Sequence, residues 1–180
     1  MDNAFAALGL PEDLTVSEEA LRAAFRETGR SAHPDAGGVG DAFTRAQKAM
    51  EILFSPAKRI AHWMELRSLP IELRGSLDAA LMDLFSIVEE ASRNATAVAR
   101  KRAAAKSALG LALLETETQR AVEALETAIA RIDAAITAET DRFPIYQNAP
   151  EPKTLAQAAR NLTFLEKWRA SLRALMPQLV

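Results

Sequence analysis

The chain has no cysteine, which excludes disulfides, thiolate metal sites and cysteine nucleophiles. It has two histidines, too few for a histidine-rich metal cluster. No run approaches the roughly 18 apolar residues a membrane span requires. The opening MDNAFAALGL lacks the charged-then-apolar order of a secretory leader, so a cytoplasmic protein is expected. Excess charge of either sign is also missing. The formal net charge is −2, and residues 1–66 carry seven Lys/Arg against ten Asp/Glu. Residues 67–180 carry fifteen against fourteen, so neither part has the basic excess of a nucleic-acid binder.

What remains is 49% hydrophobic and 26% charged, a globular composition. Ala, Leu, Glu and Arg dominate, and no strand pattern survives a pass along the chain, so an all-α protein is expected. Residues 1–66 read as four helices. NAFAALGL is a short one, closed by Gly9 and Pro11. Ser17 caps a second, with Glu18 and Glu19 favoured by the helix dipole and Leu21, Ala24, Phe25 and Thr28 at helical spacing. It ends near His33, because Pro34 disfavours helical geometry before it. Asp41 caps a third, whose inward face is expected to be Phe43, Ala46, Met50 and Leu53. Ser55-Pro56 starts the fourth with a serine cap and a proline at the first helical position.

RSLPIELRGS (67–76) reads as a linker. The run 76–141 holds no proline and is expected to form two antiparallel helices breaking between 105 and 115. DRFPIYQNAPEPK reads as a loop. A last helix runs from Thr154 to about Leu175, its stripe formed by Leu155, Ala158, Ala159, Leu162, Leu165 and Leu172.

One histidine sits in punctuation. His33-Pro34-Asp35 follows the second helix and precedes a glycine-rich gap. A catalytic triad would need a positioned nucleophile and an oxyanion pocket, and nothing nearby supplies either. A metal site would need further ligands. A rigid turn that presents an imidazole and a carboxylate to a partner fits better. Alone the tripeptide is a weak signal; its setting strengthens it.

With short helix, long helix, this turn, long helix and Ser-Pro restart in order, residues 1–66 resemble a J domain. FAALGL is similar to the family's opening aromatic-x-x-Leu-Gly signature. Leu21, Ala24, Phe25 and Arg26 stand at its spacing before His33, and AFTRAQKAMEILFSP is similar to its third helix. The resemblance implies a co-chaperone that stimulates ATP hydrolysis by a DnaK-type chaperone, with His33, Pro34 and Asp35 as the indispensable contact. Arg22, Arg26 and Arg30, four residues apart, are then the chaperone-facing stripe, or else a plain solvated face. Glu27, Gly29 and Ser31 dilute the family's basic helix, and Ala36 replaces its usual lysine. Both departures suggest a dedicated chaperone.

The remaining residues, 77–180, resemble the HscB family of J-type co-chaperones of iron–sulfur cluster assembly. AARNLTFLEKWRASLRAL is similar to that family's last helix, and ALMDLFSIVEE to the start of its C-terminal bundle. The resemblance implies a J domain at 1–66, a linker at 67–76 and a client-binding antiparallel three-helix bundle at 77–180. It also implies two partners, a DnaK/HscA-type chaperone and an iron–sulfur scaffold protein, and no catalysis or cofactor of its own. The client face carried over is Leu81, Met82, Phe85 and Phe164, with Glu89 as an acidic rim. Apolar residues at helical spacing are equally the material of a bundle core, so Leu81 and Phe85 stay open between the two roles. Phe164 lies off the final helix's own stripe.

The basic stretch Arg93, Arg100, Lys101, Arg102 and Lys106 lacks interleaved aromatics, which favours a solvated face over RNA contact. No membrane or nucleic-acid partner is expected. Trp63 and Trp168 read as core or interdomain packing and His62 as structural. Two rivals stand beside the scaffold-delivery reading: a J protein with another client, and a helical interaction or dimerisation protein with a degenerate J domain.

Overall fold

A computed structural model describes residues 2–31, 40–71 and 78–179. Eight α-helices and a closing 3-10 turn (Met176–Gln178) make up the described residues, with no strand among them. The helices are α1 (Ala4–Ala7), α2 (Glu18–Ser31), α3 (Gly40–Phe54) and α4 (Pro56–Leu66), then α5 (Ala79–Ala104), α6 (Ala108–Thr140), α7 (Phe143–Asn148) and α8 (Pro152–Leu175).

The chain forms two compact units. The first is Met1–Gly75 with Glu139–Thr163; the second is Ser76–Ala138 with Phe164–Val180. Residues 139–163 thus group with the N-terminal four helices, whereas the sequence suggested a division at one point along the chain.

In the first unit α3 packs against α1, α2 and α4. Two caps read from the sequence are in place. The Ser17 hydroxyl accepts from the Ala20 N–H at 3.1 Å, and the Ser55 hydroxyl accepts from the Lys58 N–H at 3.1 Å with Pro56 behind it. The expected Asp41 cap lies outside the described side chains. Along α3, Ala46 and Leu53 are buried as expected, Ala49 is buried as well and Met50 is half-buried, but Phe43 is 41% exposed. Its ring meets that of the half-buried Phe25 at 6.1 Å between centroids, and the buried face of α3 starts one turn later than expected.

Helix α4 fixes the rest of this unit through polar side chains that end on backbone. Arg59 is buried; its Nε donates to the Leu53 carbonyl at 2.7 Å, and its Nη1 to those of Leu14 and Val16 at 2.9 Å each. It therefore closes the end of α3 and holds the 12–16 connection with one guanidinium. His62, structural as expected, accepts the Ala4 N–H on Nε2 at 3.0 Å, which leaves the ring proton on Nδ1, 3.7 Å from the Glu65 carboxylate. The Trp63 indole donates to the Glu12 carbonyl at 3.2 Å, and Arg67 stacks on the Trp63 ring.

The segment expected to be a loop after α6 contains a helix instead. Pro144 falls in the first turn of α7, where a missing N–H costs nothing, and Phe143 and Tyr146 bury their rings. Gln147 accepts the Leu14 N–H at 2.8 Å. Beside it, burial would raise the Asp13 carboxyl. Hydrogen bonds from the Thr15 hydroxyl and N–H, contact with Gln147 and the Arg59 charge outweigh that and hold it below its usual range. Burial and a hydrogen bond to Glu139 push the Tyr146 phenol up.

The second unit is the expected antiparallel bundle. The break between α5 and α6 falls at residues 105–107, inside the expected window. Lys101 pairs with Glu117 and Arg102 reaches Thr118 at 3.2 Å, which registers the two helices. Asp133 of α6 pairs with Arg169 at 3.0 Å and Arg173 at 3.5 Å on α8. The α8 stripe is wholly buried, as its spacing predicts: Leu155, Ala158, Ala159 and Leu162 belong to the first unit, Leu165 and Leu172 to the second. The helix starts at Pro152 rather than Thr154, because Glu151 caps it by accepting the Thr154 N–H at 2.6 Å.

Candidate functional site

His33-Pro34-Asp35 lies outside the described residues, in the chain between α2 and α3. The arginine stripe does not. Arg22, Arg26 and Arg30 are all exposed on α2. Arg22 pairs with Glu18 at 3.5 Å and lies over the Phe54 ring, 4.8 Å from its centroid. Arg30 pairs with Glu27 at 2.9 Å. Both ion pairs have side chains more than half exposed, and such pairs hold their partners weakly. Arg26 makes no ion pair with a described residue. A docking surface of opposite charge could therefore recruit these guanidinium groups at little cost.

The second candidate surface is assembled from α5 and α8 within the second unit. The inward stripe of α5 is Leu81, Leu84, Val88, Ala91, Ala95 and Val98, every one buried. Leu81 thus stands on the core side of the two roles left open by its spacing. The neighbouring stripe is turned outward: Met82 is 52% exposed, Phe85 37%, and Glu89 is exposed. Phe85 meets the Trp168 ring at 5.6 Å between centroids, and Phe164 meets the same ring at 6.1 Å, both in tilted geometry. Phe164 is half-buried, as is Trp168.

Phe85, Phe164 and Trp168 form an apolar surface with the indole at its centre, and Met82 and Glu89 lie on the Phe85 face of α5 at helical spacing. The sequence brought Phe85 and Phe164 to notice and assigned Trp168 to packing. The signal that could have found it is its spacing, four residues after Phe164 on the same helix face. A flexible methionine beside rigid aromatics suits a surface that binds and releases an apolar partner.

Chaperone HscB from Vibrio cholerae superposes on 99% of this chain and on 100% of its own, with a TM-score of 0.66 and 18% sequence identity. The fold is that of HscB. By sequence no family model matches the chain, and no curated protein matches it. The HscB fold supports the reading of a J domain followed by a helical bundle, and it spans both candidate surfaces. No helix among the described residues is long and apolar enough to cross a membrane.

Proposed function

We propose that the protein is a J-type co-chaperone. It stimulates the ATPase of a DnaK/HscA-type chaperone and delivers an iron–sulfur scaffold protein to it. The observation that carries this reading is the HscB fold over the full chain, together with a His-Pro-Asp sequence between α2 and α3.

In this mechanism the chain performs no catalysis and holds no cofactor. His33, Pro34 and Asp35 engage the chaperone, and Arg22, Arg26 and Arg30 steer α2 onto it by charge. The scaffold docks on Met82, Phe85 and Phe164 beside Glu89. Leu81 acts behind this surface by setting the rotation of α5. J domain and bundle keep the domain roles expected for 1–66 and 77–180, and the site of action is the cytoplasm.

Single-turnover ATP hydrolysis by a DnaK-type chaperone, with and without scaffold, tests both halves. His33→Gln should abolish stimulation and leave thermal stability nearly intact, since a surface turn carries little folding energy. Full stimulation by that variant would overturn the chaperone role. Stimulation by the parent that is indifferent to scaffold would point to a different client. No stimulation by the parent would identify a degenerate J domain on an interaction protein.

A further inference from the structure

The first two turns of α6, Ala108 to Leu114, contain no polar side chain. A helix apolar on every side is normally covered on every side. Here the chain covers one side only. Leu109 is 72% exposed, Leu113 77% and Leu111 38%, and Leu109 and Leu113 lie one turn apart on the same face.

The charge around this end is mainly positive. Between Glu90 and Glu115 the sequence carries Arg93, Arg100, Lys101, Arg102 and Lys106 and no carboxylate, in a chain whose net charge is −2. Lys101 and Arg102 reach across to Glu117 and Glu115, whereas Arg93, Arg100 and Lys106 are exposed without a carboxylate partner among the described residues. The start of the helix at the tip is held by Ser107. The Ser107 hydroxyl accepts the Gly110 N–H at 3.1 Å and its carbonyl accepts the Leu111 N–H at 3.1 Å. These bonds cap the start of α6 as a serine N-cap does.

We propose that the tip of the α5–α6 hairpin is a peripheral contact for anionic lipid bilayers. Leu109, Leu111 and Leu113 enter the interface between headgroups and acyl chains, and Arg100 and Lys106 lie among the headgroups. Leucines flanked by cations match an anionic interface, where apolar insertion and charge attraction add. RNA would use the cations and leave the leucines in water. A second copy would bury only two or three leucines per protomer, well below the roughly 800 Å² per partner of a stable interface. The contact lies on the surface, so it needs no membrane-spanning helix, and it goes beyond the co-chaperone reading.

Flotation of the full chain with phosphatidylcholine vesicles, with and without about 30% phosphatidylserine, tests it. The expected result is binding to the anionic vesicles alone, reduced by raised salt. Leu109→Glu/Leu113→Glu should lower partitioning by about tenfold or more, and Lys106→Glu by a smaller factor, with helicity unchanged in both. Stimulation of a DnaK-type ATPase in free solution, read in parallel, should be the same for parent and variants. No binding to anionic vesicles would overturn the proposal, as would binding that survives the double leucine variant. Concentration-dependent self-association of the parent, lost in that variant, would overturn it in favour of a second copy.

Discussion

Two arginines set the two halves of the molecule against each other. Arg59 in α4 is 6% exposed and ends on three backbone carbonyls drawn from two other segments. Arg102 in α5 is half-buried and reaches side chains instead, a threonine hydroxyl and a largely exposed glutamate. In the four-helix region, polar side chains turned inward fix where neighbouring backbone must lie. In the bundle, small and aliphatic residues fill the interior and charged ones dress the outside. The first arrangement tolerates one geometry, because all three carbonyls must stay within hydrogen-bond distance of one guanidinium. The second is defined by shape, and it leaves the outward stripe of α5 exposed.

The sharpest way to break this contrast is Arg59→Ala. Three carbonyls would lose their donor at once, and the variant should lose about 3–5 kcal/mol of folding free energy in urea titration. A loss below about 1 kcal/mol would mean that water replaces the guanidinium and that the polar anchoring is decorative. Next is the bundle's shape. Ala128 on α6 is fully buried, and Ala128→Leu should cost about 1–3 kcal/mol by overpacking. If the bundle absorbs the added methylenes without loss, its small-residue interior is loosely specified.

A smaller effect concerns Asp13, whose carboxyl is held low in part by Thr15, at 2.7 Å from the hydroxyl. A carboxyl lowered on folding contributes stability above its unfolded value, near 3.8, and loses that contribution as pH falls through the folded value. Thr15→Ala should therefore show a lower urea midpoint than the parent at pH 6. The gap should narrow as pH is taken below about 3.8. A gap that is constant down to pH 3 would assign the loss to packing. The smallest effect is Lys101→Ala, which removes an exposed ion pair with Glu117 and should change stability by less than about 1 kcal/mol. A larger change would show that the hairpin depends on surface charge for its register.

The same contrast explains which features were legible in the sequence. Periodicity and punctuation are local, so the helices of the first 66 residues, the break after Ala104 and the buried stripe of α8 could be read directly. Periodicity could not tell which of two adjacent stripes on α5 faces in. Leu81 and Phe85 share helical spacing, yet Leu81 belongs with Leu84 and Val88 inside while Phe85 faces outward beside Trp168. Proline misled at Pro144, where it starts a helix rather than preventing one. Phe43 was taken for core because of its spacing, yet it is 41% exposed. The grouping of residues 139–163 with the first unit had no local signal, since Gln147 and Leu14 are 133 positions apart.

That last separation bears on how the chain is made. Leu14 leaves the ribosome long before Gln147 exists. At ordinary synthesis rates the wait is on the order of ten seconds, far longer than small helical regions take to collapse. The N-terminal helices must therefore assemble first around Arg59, with the Leu14 amide hydrated, and accept α7 as a late addition. A nascent chain stalled before residue 143 should already protect α1 to α4 from protease, while its 12–16 connection stays cleavable until α7 has emerged.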